Sequence, residues 1–190
     1  MKGKIFNAQE VQAILAGNKT QFREVVKPQP KNTEYCGKNS LGAFIFHEKE
    51  MRDYVELIHS PYQVGQKIFV KEAVDYREHY SINNYHHYTA WKKQPASRMK
   101  QEHSRLTLRI KEIRVERLGD ISGEDCWSDG LDTSSDYADW AVRQAVKENQ
   151  PEVAAKDYFR EKWNATHKKP EEKFEANPWV WCVEFEIVNK

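Results

Sequence analysis

A chain of 190 residues with 30 Lys+Arg against 29 Asp+Glu reads as one compact domain with insertions, long enough to bury a core. A net charge of +1 argues against a protein that grips long duplex nucleic acid through phosphate neutralisation, and a small ligand or one short strand remains. The mean hydropathy of −0.89 is low, but 6 Trp, 9 Tyr and 8 Phe supply large buried area per side chain and argue against disorder.

Along the chain, Met1 to Glu10 turns polar before a signal-peptide apolar region can form, so a cytoplasmic location is expected. Asn7 followed by Glu10 reads as a capping box, and Val11, Ile14 and Leu15 fall on one face of a helix near 8–16 that ends at Gly17. A loop then runs into a strand that stops at Lys27-Pro28-Gln29-Pro30, which puts Lys19 at a helix-to-strand junction. Within 31–62, short strands are expected at Ala43–Phe46 and Tyr54–Ile58. The turn glycine Gly65 feeds an apolar strand in Val64–Ala73.

A polar insert spans 76–103 and carries Tyr76, Tyr80, Tyr85, Tyr88 and Trp91; it is expected to pack on its own domain, with a base-covering lid as the alternative. From Ser104 to Arg117, Leu106, Leu108 and Ile110 alternate with polar residues, and Ile113 and Val115 resume after a one-residue phase change that predicts a bulge. Ser122 with Asp125 starts a short helix that ends at Gly130. Further helices are expected near 136–149 and 152–165, and a strong closing strand from Trp179 to Val188, with Trp179 and Trp181 on one core face. Strands scattered among short helices suit an α+β chain built on a mixed β-barrel decorated by helices, with inserts near 31–62, 76–103 and 132–176 of a single domain 1–190. The longest apolar runs, such as Trp179–Val183, fall far short of the roughly 20 residues a membrane span needs, so no membrane partner is expected.

Cys36, Cys126 and Cys182 lie far apart without a C-x-x-C pair, which points to reduced structural thiols. His79, His86, His87 and His103 lack any recognised ligand spacing, so neither a metal nor another cofactor is expected. Gly17-Asn18-Lys19-Thr20 is no P-loop, because a phosphate-cradling glycine loop precedes a helix and this glycine ends one. On spacing alone, the junction reads as a solvated loop carrying two cations, Lys19 and Arg23, and a hydroxyl, Thr20.

Four motifs in order change that reading: Ile14-Leu15-Ala16-Gly17-Asn18-Lys19-Thr20, Gly65 to Val70, Leu118-Gly119-Asp120-Ile121-Ser122 to Asp129-Gly130, and Trp179 to Phe185. Together they resemble the ASCH domains, over almost the whole chain, in the longer form of phage- and prophage-type members. The resemblance implies a PUA-like β-barrel and a role connected with RNA. Its best-defined enzymatic members are small amidohydrolases that deacylate N(4)-acetylcytidine; others are linked to cleavage of single-stranded RNA. Carried over by motif, the catalytic lysine is Lys19 and the acidic residue is Asp129. The family's threonine position is Phe22, a departure from the pattern, with Thr20 nearby.

Amide hydrolysis needs an activated water, a proton for the departing nitrogen and a donor for the tetrahedral oxyanion. An ordinary lysine, with a pKa of about 10.4, is protonated at neutral pH. Two assignments follow. In one, neutral Lys19 is the base and Asp129 orients the substrate, an assignment that the family's emphasis on lysine favours; in the other, carboxylate Asp129 activates water and charged Lys19 holds the oxyanion. Arg23, Lys71, Glu72 and Arg105 are expected around the same barrel mouth, where cations donate to the O2 and N3 of cytosine and Phe22 stacks on the ring. On spacing alone, Lys71-Glu72 read more readily as an exposed strand end with a surface ion pair, and a structural reading is likewise favoured for Arg105. The expected partner is a pyrimidine nucleoside. Single-stranded RNA is the second ligand class, bound by a non-catalytic module or cleaved by an endoribonuclease. The sequence leaves the oligomeric state open.

Overall fold

The alternation in the last strand organises the molecule. A computed structural model, which describes residues 1–31, 33–48, 55–83, 86–131 and 151–189, begins with β1 (Lys2–Ile5), α1 (Ala8–Ala16) and β2 (Gln21–Val25). β3 (Thr33–Lys38), β4 (Phe44–Glu48), β5 (Val55–Ile58), β6 (Lys67–Lys71), β7 (Val74–Asn83) and β8 (His86–Gln94) follow. β9 (Thr107–Arg117), α2 (Gly123–Ser128), α3 (Pro151–Thr166) and β10 (Trp179–Asn189) complete the described elements. The helix expected near 136–149, Tyr54 and Tyr85 lie outside the described residues.

Five strands form one sheet in the order β1-β6-β9-β10-β2, with β1 parallel to β6 and the remaining pairs antiparallel. Trp179, Trp181, Val183 and Phe185 of β10 face a core that also takes in Val11 and Ile14 of α1 and Phe44 and Phe46 of β4. The three-stranded sheet β3-β4-β5 closes that side, where Phe44 meets Trp181 at 4.6 Å and Phe46 meets Trp179 at 5.1 Å, both edge to face. Truncating aromatics of this size in a core costs about 3–5 kcal/mol each. On the other face, Val180 and Val25 lie under Cys126 of α2 and Ala155, Phe159 and Trp163 of α3. The predicted bulge is present: Glu184 pairs with Glu112 and Phe185 with Ile110, so Lys111 is the extra residue.

The sheet is open in its hydrogen bonding, with β1 and β2 as its two edges, so no closed ring of strands exists among the described residues. It is nevertheless strongly curled. Four strand spacings on a flat sheet span roughly 19 Å, whereas Lys4 Nζ beyond one edge lies 2.7 Å from Glu24 Oε2 on the other, and Phe6 meets Phe22 at 5.9 Å.

The insert at 76–103 is a β7–β8 hairpin followed by two single 3₁₀ turns. The expectation that it packs on its own domain is not met at its aromatic residues of defined placement. Trp91 is 66% exposed and Tyr76 is 42% exposed, and Trp91's ring is covered by the Arg77 guanidinium at 4.6 Å.

Candidate functional site

Two capped helices set the site. Asn7 and Glu10 form the expected capping box of α1, which ends at Gly17 with φ of 81°. The chain then turns so tightly that the N–H groups of Asn18 and Lys19 both donate to the Ala13 carbonyl. α2 starts at Ser122, whose hydroxyl accepts from the Asp125 N–H, and ends at Asp129, followed by Gly130 with φ of 81°. A backbone bond from Thr20 N–H to the Ser128 carbonyl, 2.9 Å, ties the two helix ends together. Lys19 and Asp129, 110 residues apart, thereby face each other in an isolated β-bridge.

Lys19 is 4% exposed. Its Nζ lies 2.6 Å from the Asp129 carbonyl, 3.5 Å from Asp129 Oδ1 and 3.4 Å from Glu10 Oε1. Three acceptors thus meet the three donors of an ammonium. Gly130 makes this approach possible, because a Cβ there would sit 2.7 Å from Lys19 Cβ.

The pair borders a cavity of about 330 Å³ that occupies the gap between the sheet's two edges, with Phe6 and Asn7 on one side, Phe22 and Glu24 on the other, and Trp163 of α3 and His167 just beyond its end across it. The volume is that of a small-molecule pocket.

Lys19, Gln21, Arg23 and Val25 share one side by the period of two, and their polar members enter an ionic network under α2. Arg23 reaches Glu116 at 2.6 Å and Asp125 at 3.1 Å, and donates through Nη1 to Asp129 Oδ2. Arg114 reaches Asp125 at 2.7 Å and Glu184 at 2.6 Å, while the Gln21 amide donates to the Asp125 carbonyl at 2.8 Å. Burial works against the Arg23 charge, but Asp129 and Glu116 outweigh it and push its pKa up.

The residues expected around the mouth separate. Lys19, Phe22, Arg23 and Asp129 line the cavity. Phe22 is a 3% exposed core residue whose ring lies 5.4 Å from Tyr62 and is topped by Lys4 Nζ at 4.7 Å, so it forms floor rather than an open stacking face. Thr20 points elsewhere, its carbonyl accepting from the Phe185 N–H, and it lines none of this cavity. Lys71, Glu72 and Arg105 also lie outside it. Lys71 donates to the Ser97 carbonyl, and buried Glu72 receives a two-bond fork from Arg105, both at 2.8 Å. The cysteines divide as well: Cys126 and Cys182 are buried, and burial pushes both thiols up to about 12, whereas Cys36 is exposed.

Sequence reasoning missed Glu10, Glu24, Trp163 of α3 and His167, the residue after its end. Glu10 was fully explained as a cap. Phe159, Trp163 and His167 do carry a signal, spacing i, i+4, i+8 along one helix face. Burial holds the His167 imidazole below its ordinary pKa. Glu24's carboxyl is also lowered: burial opposes this, but Lys4 and the Tyr62 hydroxyl, at 2.7 Å each, outweigh it.

Among the described residues no cluster of His, Cys, Asp and Glu has metal-holding geometry, and no helix is long and apolar enough to cross a membrane. No protein-family model matches the chain, and neither does any curated protein. The solved structures that match include two of low identity. One is a DUF984-family protein from Enterococcus faecalis V583, with TM-score 0.40 and 12% identity, over 100% of this chain and 82% of that one. The other is an ASCH domain from Lactobacillus crispatus JV V101, with TM-score 0.42 and 11% identity, over 100% and 80%. Superpositions this loose transfer no residue roles, and the site stands on its own contacts.

Proposed function

We propose that this chain is an amidohydrolase that removes acyl groups from N(4)-acylated cytosine nucleosides, giving the nucleoside and a carboxylate, with Lys19 and Asp129 as the acid/base pair. The observation that carries this reading is the buried Lys19–Asp129 contact bordering a cavity of small-molecule size. The ordered motifs that resemble ASCH domains supply the substrate class and an α+β, PUA-like identity for the curled sheet.

The contacts of Nζ favour the second of the two assignments. With three acceptors around it, Lys19 acts as a cation that holds the oxyanion, and Glu10, one of its longer contacts, yields its place to the substrate oxygen. Asp129 takes a proton from water as the water oxygen attacks the acyl carbon. Collapse of the tetrahedral species breaks the bond to N4, and that proton passes to the departing nitrogen, whose negative charge the cytosine ring delocalises.

Purified protein treated with EDTA is expected to convert N(4)-acetylcytidine to cytidine and acetate, followed by ultraviolet absorbance, and Lys19→Ala to abolish turnover while thermal melting reports that the fold persists. Absence of turnover across a panel of acyl groups overturns the enzyme reading. A module that captures the same ligand without chemistry is the second reading. It is supported by Phe22 at the threonine position and by Thr20 lying outside the cavity. Salt-sensitive binding of single-stranded RNA without hydrolysis selects it.

A further inference from the structure

β7 and β8 form a two-stranded sheet of their own, paired with no other strand among the described residues. Lone two-stranded sheets are marginal in water, and further strands stabilise them. The two outer edges of this hairpin differ in charge. β8 carries Lys92 and Lys93 side by side, a pattern that keeps an edge from pairing with another strand. β7 carries both signs, Asp75, Arg77 and Glu78, around a Tyr76 that is 42% exposed. Glu78 is held by Lys92 at 3.2 Å. Asp75 and Arg77 are exposed, and neither has a partner of opposite charge among the described residues. Lys93 stands opposite Asp75 in the ladder without forming an ion pair, and the Arg77 guanidinium lies over the Trp91 ring at 4.6 Å.

This edge is complementary to itself. A two-fold axis through Tyr76 brings two β7 strands together antiparallel and sets Asp75 of each copy opposite Arg77 of the other, with the two Tyr76 residues facing at the centre. Directly opposite side chains in such a pair share a face with Cβ atoms about 4.5–5.5 Å apart, within ion-pair reach. Axes through Asp75, Arg77 or Glu78 each set a like charge against itself, and one through His79 makes no ion pair. An axis between residues is excluded, because it would turn opposite side chains to different faces. We propose that the chain forms a two-fold dimer through the outer edge of β7, merging two hairpins into one four-stranded sheet with β8 on both flanks. Arg77 then lies between its own Trp91 and the second copy's Asp75, and Asp75 between its own Lys93 and the second copy's Arg77. The contact runs only from Val74 to Glu78, so the dimer is reversible, with a Kd on the order of 10 µM. It is independent of the acyl-hydrolase reading.

Sedimentation equilibrium of the full chain, from about 1 to 500 µM in low salt, is expected to show a monomer–dimer equilibrium. Asp75→Arg gives the edge two cations, and Arg77→Asp gives it two anions. Each variant is expected to associate with itself at least about tenfold more weakly than the unaltered chain, because like charges then face across the axis. Mixed in equal amounts, the two variants regain the association, since cations of one now meet anions of the other. This rescue separates a lost ion pair from a damaged hairpin, and thermal melting checks that both variants fold. Raising sodium chloride from about 50 mM to 1 M weakens the dimer of the unaltered chain, as exposed ion pairs require. A chain that stays monomeric to about 500 µM overturns the proposal. So does undiminished self-association of either variant, a mixture that fails to associate, or a dimer insensitive to salt.

Discussion

Arg23 shows how a residue that reads as a substrate cation becomes something else once folded. Its side chain is 1% exposed and faces three carboxylates, Glu116, Asp125 and Asp129. Burying one cation costs several kcal/mol, and only well-placed counter-charges offset that. Its service to the site is indirect: by holding Asp129 Oδ2 it leaves Oδ1 turned toward Lys19. Arg23→Met leaves these carboxylates short of their shared cation, and urea unfolding should show a loss of about 3–5 kcal/mol; a loss under about 1 kcal/mol would contradict the network. The double variant Arg23→Met/Asp129→Asn should recover part of the loss, since it also removes one stranded charge. The Lys19–Asp129 pairing was legible in the sequence through motif order. The fate of Arg23 was not, because an arginine two residues beyond a strand start looks the same whether its face meets solvent or a helix.

At the level of elements, legibility followed local chemistry. Both helix caps, the bulge at Lys111 and the alternation of β10 are written in consecutive residues and were readable as such. β1 was not: Lys2-Gly3-Lys4-Ile5 is four residues of mostly polar chain, and it becomes a strand only because β6 lies beside it, with Gly3 so close that a Cβ would meet the Phe69 ring at 2.6 Å. In the β7–β8 hairpin the alternate residues Val74, Tyr76, Tyr80 and Ile82 of β7 are interrupted by Glu78, and β8 carries no matching apolar series, and so it read as an irregular insert. The turn after α2 matters most to the site. Gly130→Ala places a methyl 2.7 Å from Lys19 Cβ, which lies too near the backbone to swing clear, and at a φ of 81° that side chains rarely adopt. The variant should lose about 1–2 kcal/mol of stability and, beyond that, at least about tenfold in kcat/KM on N(4)-acetylcytidine, because Lys19 is displaced from Asp129. Retained activity in a folded Gly130→Ala protein would show that the close approach is dispensable.

For the molecule as a whole, curling a sheet until its edges face each other leaves a seam, and this seam is the cavity. It is spanned by the Lys4–Glu24 pair, and Tyr62 donates to the same carboxylate oxygen. No sequence pattern announces such a contact, since the residues lie on non-adjacent strands and meet only through sheet curvature. It should be visible in the response to acid. The Glu24 carboxyl is held below its ordinary value of 4.5, and Asp125's below 3.8, where burial is outweighed by Gln21, Arg114 and Arg23. His167, which faces Glu172, Lys27 and Lys4, is lowered from 6.5 by burial. All three shifts have one sign: on acidification the unfolded chain takes up these protons first, so each contribution is complete above the unfolded pKa and is lost as pH falls through the folded one. The melting temperature should therefore begin to fall below about pH 6.5 and fall more steeply below about 4.5, with each kcal/mol lost worth roughly 2–4 °C for a chain of this size. Glu24→Gln should start from a lower melting temperature at pH 7 and lose less of it between pH 5 and 3 than the unaltered protein. Parallel curves for the two proteins would mean that the Lys4–Glu24 clasp contributes nothing to holding the edges together, and the cavity's shape would then depend on the aromatic contacts of Phe6, Phe22 and Tyr62 alone.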